Sequence, residues 1–132
     1  MAEALFTLGL LCVFAVPAMN MLRQSAVNYS RACSAYKTDS AASGLLAEAK
    51  SAAGVNSLAD IVIDFSEYAD YECVLIVEDF QMGQSREFKY PEHNSLEISP
   101  ASISASDNFT GLITAAVKDS KTGVIKIKAL PF

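Results

Sequence analysis

Between Glu3 and Arg23 no side chain carries a charge, and the nineteen residues from Ala4 to Leu22 come close to the ~20 that a helix needs to cross a bilayer. Eleven of them are large and apolar: Leu5, Phe6, Leu8, Leu10, Leu11, Val13, Phe14, Val16, Met19, Met21 and Leu22. Hiding each from water is favourable by roughly 1.5–3 kcal/mol, so no solvated monomer can leave the run exposed. Two uses of such a run are open. It is a retained apolar segment, or it is a secretory signal cut near Val16-Pro17-Ala18, where small residues follow the apolar stretch. The residues before it, Met1-Ala2-Glu3, are acidic where a secretory signal carries Lys or Arg, which favours retention. Arg23, Arg31 and Lys37 all follow the run, and by the positive-inside rule they would hold the rest of the chain in the cytoplasm. A short basic leader removed from in front of Met1 would reverse that vote.

The other 110 or so residues are a different material. Up to Leu58 the chain has three acids and four bases, and beyond it twelve acids and six bases. At 132 residues the whole chain allows one core and an appendage. A net charge of −5 is the wrong sign for wrapping a phosphate backbone, so nucleic acid is excluded as a partner class.

Beyond the run the helical period continues but turns amphipathic. Leu22, Ala26, Tyr29, Cys33 and Tyr36 recur at spacings of four and three, the stripe one helix presents to another. After a polar break at Lys37 to Ser40 the period resumes with Ala42, Leu45, Leu46, Ala49 and Ala53, and Gly54 followed by Asn56 supplies a C-terminal cap. The element then spans about Ala2 to Ala53, with residues 1–22 as its apolar part and 23–54 as its amphipathic part. At ~1.5 Å per residue it is roughly 75 Å long, more than a domain this small can cover with its own core. Pro17 removes a backbone donor inside the helix and predicts a kink or a short unwound turn.

From Leu58 the period changes to two. Ile61, Ile63 and Phe65 predict a first strand, and Cys73 to Val77, apolar on both faces, predicts a central one. Phe88 and Tyr90 against Glu87 and Lys89 predict a half-exposed strand; Leu96 with Ile98, Leu112 to Val117, and Ile125 with Ile127 complete six. Turn chemistry lies at Met82-Gly83, Pro91 to Asn94, Ser106 to Asn108 and Lys121 to Gly123. The expected class is α+β: a long N-terminal apolar helix and then, over residues 55–132, a small antiparallel sheet or sandwich.

No catalytic constellation emerges. The single histidine, His93, falls in a predicted turn and reads as a solvated loop residue rather than a general base. Asp60, Asp64, Glu67, Asp70 and Glu72 cluster, but without the alternating ligands and glycine of a calcium loop they read as a solvated edge. The three cysteines contain no C-x-x-C pair, so neither zinc nor a redox motif is indicated, and no metal or cofactor is expected. Cys12 reads as a small apolar residue; Cys33 and Cys73 are the two that an oxidising compartment could join, or leave as thiols. Two N-glycosylation sequons are present, at Asn28 and at Asn108.

An acidic residue at the extreme N-terminus, the immediate run Ala4-Leu5-Phe6-Thr7-Leu8-Gly9-Leu10-Leu11, an amphipathic continuation and a small β-domain together resemble a mature type IV pilin. The archaeal branch, whose precursors carry class III signal peptides and which includes the archaeal flagellins, is the nearest in pattern. Bacterial pilins begin with Phe and place Glu at the fifth mature residue; here Glu3 is the only early acid and Phe6-Thr7-Leu8 lacks a following Ile-Glu. The resemblance implies a short leader removed by a prepilin peptidase, which resolves the topology conflict. It implies a helix held in lipid before assembly and bundled with copies of itself afterwards, through Leu5, Phe6, Leu8, Gly9, Leu10, Leu11, Val13, Phe14, Val16, Pro17, Met21 and Leu22. Small residues at Gly9, Ala15 and Ala18 would permit close helix approach. The head would face outward, often glycosylated. The implied function is non-enzymatic: a structural subunit of an extracellular filament used for adhesion or surface attachment. A membrane-anchored or secreted monomeric β-domain that binds a glycan or a surface partner is the alternative of a different class.

Overall fold

The computed structural model describes residues 1–55, 58–98 and 109–132. It contains one α-helix, α1 (Ala2–Val55), and a four-stranded antiparallel sheet of β1 (Tyr71–Asp79), β2 (Gln84–Tyr90), β3 (Gly111–Asp119) and β4 (Ile125–Pro131). Strand order is β2-β1-β3-β4. The expected α+β class is therefore found. Among the described residues the strands form one sheet.

α1 runs unbroken through Pro17, with no unwound turn. It also runs through the expected polar break at Lys37 to Ser40, because the polar side chains there serve the helix and the sheet. Thr38 Oγ1 donates to the Ser34 carbonyl at 2.7 Å, and Asp39 accepts from Lys128 Nζ of β4 at 2.9 Å. The helix ends at Val55; the predicted capping residue Asn56 lies outside the described residues.

The chain divides into two compact units, Met1–Cys33 and Ser34–Phe132. The helix ends where the β-rich part was expected to begin, and its second part belongs to the unit that holds the sheet. Its buried stripe is Ser34, Thr38, Ala42, Leu45, Leu46 and Ala49. These helical spacings of three and four place one face on the sheet, where Cys73, Leu75 and Val77 of β1 and Ile113, Ala115 and Val117 of β3 complete the core. The stripe from Leu22 to Tyr36, read as one that a helix presents to another helix, lies outside this core, with Tyr29 and Tyr36 more than 70% exposed.

β1 is central, as its two apolar faces predict. It pairs with β2 on one side and β3 on the other, and Val74 on its reverse face is as buried as Cys73 and Leu75. Two predicted strands do not form. Ile61 and Ile63 alternate into the core as a strand would, yet their backbone joins no ladder, and the Asp64 N–H donates to Glu48 Oε1 instead. Burial alone produces a period of two, so alternation does not require a partner strand. Leu96 and Ile98 are half-buried in an irregular segment. The turns at Gly83 and Gly123 have φ of +63° and +72°, which a side chain at either position would strain. The turn expected at Ser106 to Asn108 lies outside the described residues.

The hairpin between β3 and β4 is fastened to α1 through one carboxylate. Asp119 Oδ2 accepts from Ser34 Oγ at 2.6 Å and its Oδ1 accepts from the Lys121 N–H at 2.8 Å, while Ser34 Oγ also meets Thr122 Oγ1. These hydrogen bonds, that from Ser34 foremost, hold the Asp119 carboxyl below its ordinary value of 3.8. A depressed folded-state value stabilises the fold above the unfolded value, and that stability is lost as pH falls through the folded one. Asp119→Asn is expected to cost about 1 kcal/mol at neutral pH. In thermal melts across pH, the gap between wild type and variant should be level above about pH 5 and close at lower pH; a gap that widens on acidification would contradict this role.

Candidate functional site

No side-chain constellation suited to catalysis is assembled among the described residues. His93 is exposed in the turn at 91–93. Two carboxylates after the helix serve the backbone: Asp64 Oδ1 accepts from the Ser66 N–H at 2.9 Å, which lowers its carboxyl pKa, and Asp79 Oδ1 accepts from the N–H groups of Gln81 and Met82. Glu72 pairs with Lys118 at 3.3 Å across β1 and β3. No group of three metal-ligating side chains occurs among the described residues.

The surface that demands an explanation is the first part of α1. All eleven large apolar side chains of the run are exposed, from 43% at Leu10 to about 72% at Phe6. Gly9 and Pro17 are exposed with them. A Cβ placed on Gly9 would meet nothing within 4 Å, so its lack of a side chain answers no contact within this chain. Left in water, these side chains would forfeit on the order of 10–20 kcal/mol, as much as the whole stability of an ordinary domain. The helix is long and apolar enough to cross a membrane, and the most apolar window in it is not buried at all by the rest of the chain. Such a run is compatible with insertion into a membrane and with a signal sequence.

Polar groups frame the run. Glu3 precedes it; Arg23, Gln24, Val27, Asn28 and Arg31 line a shallow groove on the helix after it. The sequon residue Asn28 is exposed there, while Asn108 lies outside the described residues. Within the head, an apolar groove lined by Leu46, Ala47, Gly54 and Leu130 runs beside β4, with Lys50 at its rim.

Cys12, Cys33 and Cys73 are all free thiols, so of the two states open to Cys33 and Cys73 the structure has the unbridged one. Cys73 is an apolar packing residue of the core, fully buried with Leu75 and Val77, and burial pushes its thiol up to about 12. Burial thus keeps Cys73 protonated at ordinary pH. In detergent at that pH, a maleimide is expected to label Cys33 and to reach Cys73 only after denaturation. Prompt labelling of Cys73 in the folded protein would contradict its burial.

The residues that tie the head together were less visible in the sequence. Arg86 Nη1 donates to the carbonyls of Leu58 and Ala59 at 2.9 and 2.6 Å while its guanidinium lies 4.6 Å over the Phe88 ring. Asn94 Nδ2 donates to the carbonyls of Cys73 and Tyr90, and Phe65 stacks on Tyr90 with ring centroids 5.4 Å apart. Such contacts join residues distant in the chain, and no local pattern signals them.

Compared with known protein families, with characterised proteins and with solved structures, the chain has no match.

Proposed function

We propose that this protein is a structural subunit that polymerises through its apolar helix into an extracellular filament of the type IV pilus kind, used for adhesion or surface attachment. The observation that carries this reading is the division of one continuous helix. From Ser34 one face of it is buried against its own sheet, and before Arg23 its large apolar side chains stay exposed among the described residues. A helix of that length with a water-soluble head suits transfer from lipid, where the run is covered before assembly, to a bundle of identical helices, where it is covered afterwards. Lipid is already apolar, so the gain on assembly comes from helix packing and released lipid rather than from the hydrophobic effect. The exposed Gly9, with Ala15 and Ala18, suits close packing of that kind. No cofactor, metal or nucleic acid enters this reading; the partners are copies of the chain, and the membrane before them.

Electron microscopy of material sheared from producing cells tests it. Micrometre-scale fibres that contain this chain are the expected result. Dispersed small particles would overturn the filament and favour the second reading, a monomeric β-domain held to the membrane by the same helix and binding a glycan or surface partner.

A further inference from the structure

We propose that Arg23 and Arg31, with the carboxamides of Gln24 and Asn28, form a site for the phosphate of an anionic phospholipid. This rests on the reading above that the apolar run is held in lipid before assembly.

Arg23, Gln24, Val27, Asn28 and Arg31 line one shallow groove on α1, and all five are exposed. The helix dictates the grouping. At about 100° per residue Arg31 lies only about 80° around from Arg23, with Val27 between them and Gln24 and Asn28 on the side of Arg31. The lining contains no carboxylate, and among the described residues neither arginine forms an ion pair. In a chain of net charge −5, no acid occurs between Glu3 and Asp39. The groove thus presents guanidinium and amide N–H donors to an anion that this chain does not supply.

Position identifies the anion. At ~1.5 Å per residue, the run from Ala4 to Leu22 matches the ~30 Å of a bilayer's hydrocarbon core. With the run across that core, Arg23 stands at its edge and Arg31 about 12 Å further along α1. Side chains on a helix lean toward its N-terminus, so the long side chain of Arg31 reaches back toward the headgroup layer that Arg23 borders. Tyr29 lies between them in level on the other side of the helix, 74% exposed, and an aromatic ring with a polar tip suits a membrane–water interface. The anion of that layer is a lipid phosphate. Arginine meets it with two parallel N–H donors, and each base beside an anionic surface favours association about fivefold.

The test uses the full chain reconstituted in phosphatidylcholine vesicles that carry a trace of spin-labelled phosphatidylglycerol or, separately, spin-labelled phosphatidylcholine. Flotation measures insertion, and circular dichroism the helix. Phosphatidylglycerol should be held beside the protein at least about fivefold more than phosphatidylcholine. Arg23→Gln with Arg31→Gln should remove the preference, while Lys37→Gln, a base outside the groove, should leave it unchanged. No preference in the wild type, a preference that persists in the double variant, or an equal loss with Lys37→Gln would overturn the site. Soluble glycerol phosphate at millimolar concentration should not displace the lipid; displacement would mean that the groove takes free phosphate and would overturn the lipid assignment. Should the double variant fail to insert, Arg23→Gln and Arg31→Gln decide singly. Each should lower the preference at least about twofold, and no change in both would overturn the site. Wild-type protein that does not float with the vesicles would instead remove the membrane reading, so the two failures are distinct.

Discussion

Leu10→Asp and Phe14→Asp are each expected to abolish filaments. Both side chains lie near the middle of the uncharged run, with no basic residue within a turn of either. An aspartate at the centre of a membrane helix is unfavourable by about 2.5–3.5 kcal/mol on insertion scales. Buried unpaired in a bundle it costs several kcal/mol more, and the penalty recurs at every subunit. Electron microscopy should therefore find no fibres from either variant, while a substitution such as Leu10→Met, of similar volume, should be tolerated. Normal fibres from Leu10→Asp or Phe14→Asp would mean that the run does not form the interior of an assembly.

The second large effect lies in the head. Leu75 of β1 is fully buried and faces the stripe of Ala42, Leu45 and Ala49 on α1. Leu75→Ala removes three carbons from the centre of the one core that holds helix and sheet together. About 3–5 kcal/mol should be lost, a drop in melting temperature of about 15 °C or more for a unit of this size. Circular dichroism melts of the full chain in detergent would measure it, with the head's strands melting early. A shift of only a degree or two would mean that the core is looser than its burial implies.

The two variants separate the two halves of the protein. Leu75→Ala weakens the head and leaves the apolar run unchanged; Leu10→Asp does the reverse.

Much of this was legible along the chain because it depends on local period. A run without charge from Ala4 to Leu22, the recurrence of Ala42, Leu45, Leu46 and Ala49, and the two apolar faces of Cys73 to Val77 each state their own structure. The errors share one physical origin. Ile61 and Ile63 carry strand-like alternation because both are buried, but whether a ladder forms depends on a neighbouring backbone that the segment itself does not encode. The polar stretch at Lys37 to Ser40 looks like a break until Lys128 and Asp119, more than 80 residues away, are seen to use Asp39 and Ser34.

From the amino-acid order alone came the long helix, the apolar run that water will not tolerate, and the change of period that begins a β-rich head, since each arises from neighbours within a few residues. Tertiary structure decided that the head claims the helix only from Ser34, that four of the six expected strands form among the described residues, and that Cys73 is packed as a thiol. Those outcomes turn on contacts between distant segments, whose strength is set by shape and burial rather than by any repeat in the sequence.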